Sequence, residues 1–119
     1  MNVELEDRVV KFTARCIKVC VALPGRKIGS TSLADQVFRS ATSVAANYAE
    51  AEEAESRKDF IHKLKIAMKE LSETRIWLRL IGESDYAEEA KLSDLIAESR
   101  ELSRILSASV ATTKRKLGG

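Results

Sequence analysis

The chain has one proline, five glycines and little aromatic character, with phenylalanine, tyrosine and tryptophan together making up 5% of its residues. Proteins built from many short strands need frequent turns and large side chains to fill a sandwich, so this scarcity argues against a β-rich fold. There is one histidine, His62, and two cysteines, Cys16 and Cys20, one helical turn apart. Structural zinc takes about four such ligands, so a zinc site is not expected. Two cysteines on one helix are badly oriented for a disulfide, and both are read as small core residues in a reducing compartment. His62, between Ile61 and Lys63, is read as a solvated helix residue. No stretch reaches the about 18 apolar residues that a membrane-spanning helix requires. The start of the chain carries Glu4, Glu6 and Asp7 where a secretory leader would carry basic residues. A cytoplasmic location is the expectation.

What the chain does have is charge and helical periodicity. Basic residues number 20 and acidic residues 18, a formal net charge of +2, so any contact with nucleic acid must come from local patches. The 119 residues suit a single domain with one modest core. Four segments repeat apolar residues at alternating steps of three and four. The first, about 3–23, carries Leu5, Val9, Phe12, Cys16 and Val19, with a second apolar row of Val10, Ile17 and Val21 beside it. That second row makes the face wider than a simple bundle helix needs. Pro24-Gly25 stops the segment. The second, about 32–51, opens at Ser30-Thr31-Ser32, whose hydroxyls are expected to cap it, and carries Leu33, Val37, Ala41, Val44 and Tyr48.

The third segment, about 57–81, has the strongest pattern, running from Phe60 through Leu64, Ala67, Leu71, Thr74 and Leu78 to Ile81. Ser56 to Asp59 resembles a capping box, and Gly82 is the expected terminator. The stretch "SATSVAANYAEAEEAESRKDF" contains neither glycine nor proline, yet a chain reversal is expected between Ala51 and Ser56; a single uninterrupted helix from Ser32 to Ile81 is the alternative. The fourth segment, about 86–113, is opened by Ser84-Asp85, and the closing "TTKRKLGG" is expected to fray. Four helices of about 20 residues with short connections give an antiparallel up-down-up-down four-helix bundle.

Catalytic machinery is not apparent. A nucleophile needs a base oriented by a third group, and the lone histidine has no companion motif. No glycine-rich phosphate loop is present. Glu70 and Glu73 could do acid and base work, but Lys69 and Arg75 beside them make salt bridging the simpler account. A non-enzymatic protein without cofactor or metal is expected.

Two features carry the functional reading. Arg57, Lys58, Lys65 and Lys69 on the third segment and Lys114, Arg115 and Lys116 near the end of the fourth form candidate phosphate-contacting surfaces. Ordinary solvated faces are the alternative. Gln36, Arg39, Ser43, Asn47 and Glu50 form a polar row along the second segment. Either these side chains meet acids such as Glu70 and Glu73 and fix helix register, or they line a ligand or partner surface.

"LADQVFRSATSVAANYAEA" followed by "SRKDFIHKLKIAMKELSETRIWLRLIGES" resembles the four-helix-bundle proteins related to those encoded in intervening sequences of bacterial 23S ribosomal RNA genes. Gln36, Arg39, Ser43, Asn47, Glu50, Phe60, Ala67, Glu70 and Glu73 match that pattern in order, over about 33–82. Ala51 stands where the family usually has glycine, and Met68-Lys69 where it often has Gly-Ser. The resemblance implies a homopentamer around a central channel, which would account for the second apolar row. A related branch, the accessory variability determinant of diversity-generating retroelements, is similar in fold and binds nucleic acid and a reverse transcriptase. The expected function is an oligomeric adaptor touching RNA, DNA or a nucleic-acid enzyme. The alternative is a self-assembling protein-interaction scaffold with no nucleic-acid role.

Overall fold

The computed structural model describes residues 2–118. It contains four helices, α1 (Val3–Ala22), α2 (Ser30–Glu52), α3 (Arg57–Glu83) and α4 (Glu89–Gly118), with no strand among the described residues. Sequence neighbours α1–α2, α2–α3 and α3–α4 pack side by side, and a slighter α1–α4 contact closes the bundle. The α1–α3 and α2–α4 pairs lie diagonally across the core. The molecule measures 54 × 22 × 21 Å.

Local chemistry sets each helix end. Asn2 Oδ1 accepts from the Leu5 amide at 3.0 Å, and Glu4 and Glu6 lie in the first turn of α1, where the positive end of the helix dipole favours them. Leu23 is already extended, as the residue before a proline prefers. The α2–α3 reversal falls at Glu53–Ser56, so the chain is not one through-helix. Ser56 Oγ accepts from the Asp59 amide at 3.0 Å, and the Asp59 carboxylate accepts from the Glu55 amide at 3.4 Å. This is a capping box shifted back by one residue.

Two boundaries differ from the sequence reading. The serine and threonine hydroxyls do not cap α2: its N-cap is Gly29 at φ +80°, and the Ser30 hydroxyl turns back to donate to the Pro24 carbonyl at 2.6 Å. A left-handed backbone there is open to glycine, so a backbone solution displaced the hydroxyl cap. Nor does Gly82 end α3 or Ser84-Asp85 open α4. Gly82 is buried within α3, and a Cβ there would lie 3.2 Å from Glu89 Cγ and 3.3 Å from Leu92 Cδ1, so its smallness lets α4 start close by. The stop is a Schellman motif: Tyr86 N–H donates to the Ile81 carbonyl and Asp85 N–H to that of Gly82, with Asp85 left-handed at φ 61°. The α4 helix begins only at Glu89, and the closing segment expected to fray is helical through Gly118.

The inward rows interlock as one core. Phe12, Leu64, Leu71, Leu78, Leu92, Leu95, Leu102 and Leu106 are all fully buried. Each such side chain contributes about 2 kcal/mol of transfer free energy. The second row of α1 faces outward instead: Val10 and Val21 remain 56% and 82% exposed among the described residues. No helix is long and apolar enough to cross a membrane, among the described residues.

Candidate functional site

Antiparallel packing brings the start of α3 and the end of α4 to the same end of the bundle. All seven candidate basic residues are exposed there, and among the described residues none has an ion-pair partner. Lys65 of α3 meets Lys114 of α4, and this neighbour, with a further contribution from Lys69, holds the Lys65 ammonium below its ordinary value. Two like charges from different helices thus stand as neighbours on the exposed surface. Lys58 lies on the same outward stripe of α3, two turns before Lys65.

The other members do not converge on that point. Arg57 lines a cleft of about 570 Å³ at the end of the bundle, with Tyr48, Glu52, Phe60, Leu64 and Leu106. Because successive helical residues are turned by about 100°, Lys114, Arg115 and Lys116 fan around α4, and Arg115 donates to the Thr112 hydroxyl at 3.2 Å. Lys63 stands apart, since it donates to Glu50 at 2.8 Å.

The polar row of α2 divides into three. Arg39 donates to Glu73, to Glu70 at 3.5 Å and to Gln36 Oε1 at 3.2 Å, and Trp77 Nε1 donates to Glu73 at 3.1 Å. This connected group ties α2 to α3 on the surface. Glu50 holds Lys63. Asn47 donates to the Ser43 carbonyl at 2.9 Å and the Ser43 hydroxyl at 3.1 Å, one turn back on its own helix, and meets no acid of α3. Its amide is satisfied locally and does not bridge helices.

Burial pushes the Cys16 thiol up to about 12, and Cys20 donates to the Ala34 carbonyl at 3.3 Å. Both are free thiols, Cys16 buried and Cys20 half-buried. His62 is exposed on α3. Among the described residues no group of three or more His, Cys, Asp or Glu is arranged to hold a metal ion.

Several contacts escaped the sequence reading. The Arg8 guanidinium of α1 forks onto Glu98 of α4 at 2.7 and 3.0 Å, and Arg75 donates to the buried Ser99 hydroxyl at 3.2 Å. Their partners are far apart along the chain, so periodicity gives no signal for them. The end cleft is missed for the same reason. There burial, and then the neighbouring Glu6, raise the Glu52 carboxyl.

The model of the 23S rRNA-intervening sequence protein family matches residues 2–108, so Lys114, Arg115 and Lys116 lie beyond the matched region. No curated protein matches. Among solved structures, the chain is similar to a crystal structure of a protein with unknown function from the S23 ribosomal protein family of Bacteroides thetaiotaomicron. The two are 33% identical with a TM-score of 0.79, over 89% of this chain and 97% of that one.

Proposed function

Since this chain belongs to the 23S rRNA-intervening sequence protein family, we propose that it is a non-enzymatic, self-assembling helical adaptor that contacts RNA or DNA, or an enzyme acting on them. The observation that carries the nucleic-acid half is the meeting of Lys65 and Lys114 across α3 and α4. A phosphate between two crowded ammonium groups relieves their repulsion, and displaced counterions add to the driving force. Lys58 and Lys69 extend the surface along α3, while Arg57, Arg115 and Lys116 flank it. No base-reading element accompanies these residues, so the contact is to backbone and indifferent to sequence. The two free cysteines favour a reducing, cytoplasmic setting.

Binding of mixed RNA and mixed DNA pools, titrated against salt, tests this reading. Affinity falls as salt rises, and Lys65→Ala and Lys114→Ala each lower the salt slope by about 1. If neither pool binds even at low salt, the phosphate contact is wrong. The net charge of +2 favours the second reading, a protein scaffold without nucleic acid. In that case Arg39, Glu70 and Glu73 serve only to hold α2 against α3. The assembled mass, a homopentamer if the family resemblance carries over, is read by light scattering with and without RNA.

A further inference from the structure

The cleft of about 570 Å³ at the end of the bundle holds polar groups that the bundle itself does not use. It opens where the start of α1, the end of α2 and the start of α3 meet beside α4. Its wall is largely apolar, built from Leu5, Ala51, Phe60, Leu64 and Leu106. Clefts of this size, with an apolar wall and a few convergent polar groups, are where small molecules bind.

Those polar groups are mostly acceptors. Tyr48 is 6% exposed and its ring belongs to the core, yet its hydroxyl closes no hydrogen bond among the described residues. Nor is that hydroxyl sealed, since among those residues Ser103 Oγ is the one fully enclosed side-chain atom without a partner. The hydroxyl therefore faces the cleft that Tyr48 lines. Beside it stands the carboxylate of Glu52, and beside Glu52 that of Glu6 on α1. Both acids are half-buried, and among the described residues neither has an ion-pair partner. Burial and then Glu6 raise the Glu52 carboxyl, as befits two acids crowded with no cation between them.

Neighbouring acceptors on an apolar wall suit a head group rich in N–H donors on an apolar body. An ammonium is such a head. A bare metal ion would leave the apolar wall uncovered. A polyamine would bring a second ammonium toward Arg57, which lines the same cleft and has no acid partner among the described residues. We propose that the end cleft binds a small monoamine, its ammonium on Tyr48, Glu52 and Glu6 and its aliphatic or aromatic body against Phe60, Leu64 and Leu106. This goes beyond the adaptor reading and stands whether or not the chain contacts nucleic acid. Because the cleft joins the start of α1 to the α2–α3 turn, a bound amine also stabilises the fold by mass action.

The test is calorimetric titration of the whole chain at pH 7 with 2-phenylethylamine and hexylamine, set against the uncharged 2-phenylethanol and the diamine putrescine. At least one monoamine is expected to saturate a single site per chain and to raise the Tm. The alcohol and the diamine should each bind at least about tenfold more weakly. Glu52→Gln and Tyr48→Phe should each weaken the monoamine by about tenfold with helical circular dichroism unchanged, while Lys65→Ala, outside the cleft, leaves it at wild-type affinity. No saturable binding of either monoamine, equal binding of amine and alcohol, or wild-type affinity in both cleft variants overturns the proposal. Binding that appears only after removal of Met1 would give the cleft to the chain's own amino end and overturn it too.

Discussion

Thr74 on α3 and Ser40 on α2 meet hydroxyl to hydroxyl at 2.8 Å, and both residues are fully buried. Ser40 also reaches the Gln36 carbonyl and Thr74 the Glu70 carbonyl, each at 2.8 Å. Two hydroxyl hydrogens thus serve four contacts, one between helices and three within them, the last a longer one from Ser40 to the Val37 carbonyl at 3.4 Å. The pair can point either way without leaving a buried oxygen unsatisfied. Thr74→Val keeps the shape and removes one donor, and its expected cost is about 1 kcal/mol. Adding Ser40→Ala to it costs less than the sum of the two single changes, because neither partner is then left unpaired. Urea unfolding of the four species of this cycle measures the coupling; strict additivity would show that the hydroxyls do not communicate.

Gly29 and Asp85 are the two left-handed residues of the chain among those described, and they give opposite expectations. A Cβ at Gly29 meets only the Tyr86 hydroxyl, at an ordinary 3.5 Å, so Gly29→Ala carries backbone strain alone and destabilises by about 1 kcal/mol. Asp85→Gly relieves the same strain and stabilises by about 0.5–1 kcal/mol, less the added freedom of the unfolded chain. The contact from Lys27 Nζ to the Asp85 carbonyl, at 2.8 Å, survives because it uses backbone. Thermal melts of the two variants should move in opposite directions.

Glu52 makes stability depend on pH. Its carboxyl is raised above the ordinary 4.5, first by burial and then by Glu6, so the folded state keeps a proton that the unfolded chain has given up. Stability from this group is therefore complete below about pH 4.5 and is lost as pH climbs through the raised folded value. Glu52→Gln removes the penalty. It should raise the Tm at pH 7 and leave it unchanged at pH 4; an equal gain at both would mean that charge is not the cause. Tyr48, pushed up to about 12 chiefly by burial, adds a second loss at alkaline pH.

The helices were legible because their signals are local. Leu64, Ala67, Leu71, Thr74 and Leu78 all face inward as their spacing predicts. Ser56 sits at the start of α3 because its hydroxyl reaches an amide three residues on. Ser30 and Ser84 misled the reading. Their types suit helix starts, but the backbone at Gly29 and Asp85 satisfied those ends by other means. The closing segment is helical although it is polar, with Thr113 donating to the Ser109 carbonyl and Arg115 and Lys116 in its last turn, where the dipole favours cations.

By itself, then, the sequence determined which stretches are helical, which face of each turns inward, and that its charges are segregated along the chain, since each follows from neighbours within a few residues. Tertiary structure decided the rest. Arg39 and not Asn47 ties α2 to α3, because only the longer side chain spans the gap between helices to Glu70 and Glu73. Lys65 meets Lys114 because antiparallel packing folds the end of α4 back onto the start of α3, a relation between residues 49 positions apart that no local pattern encodes.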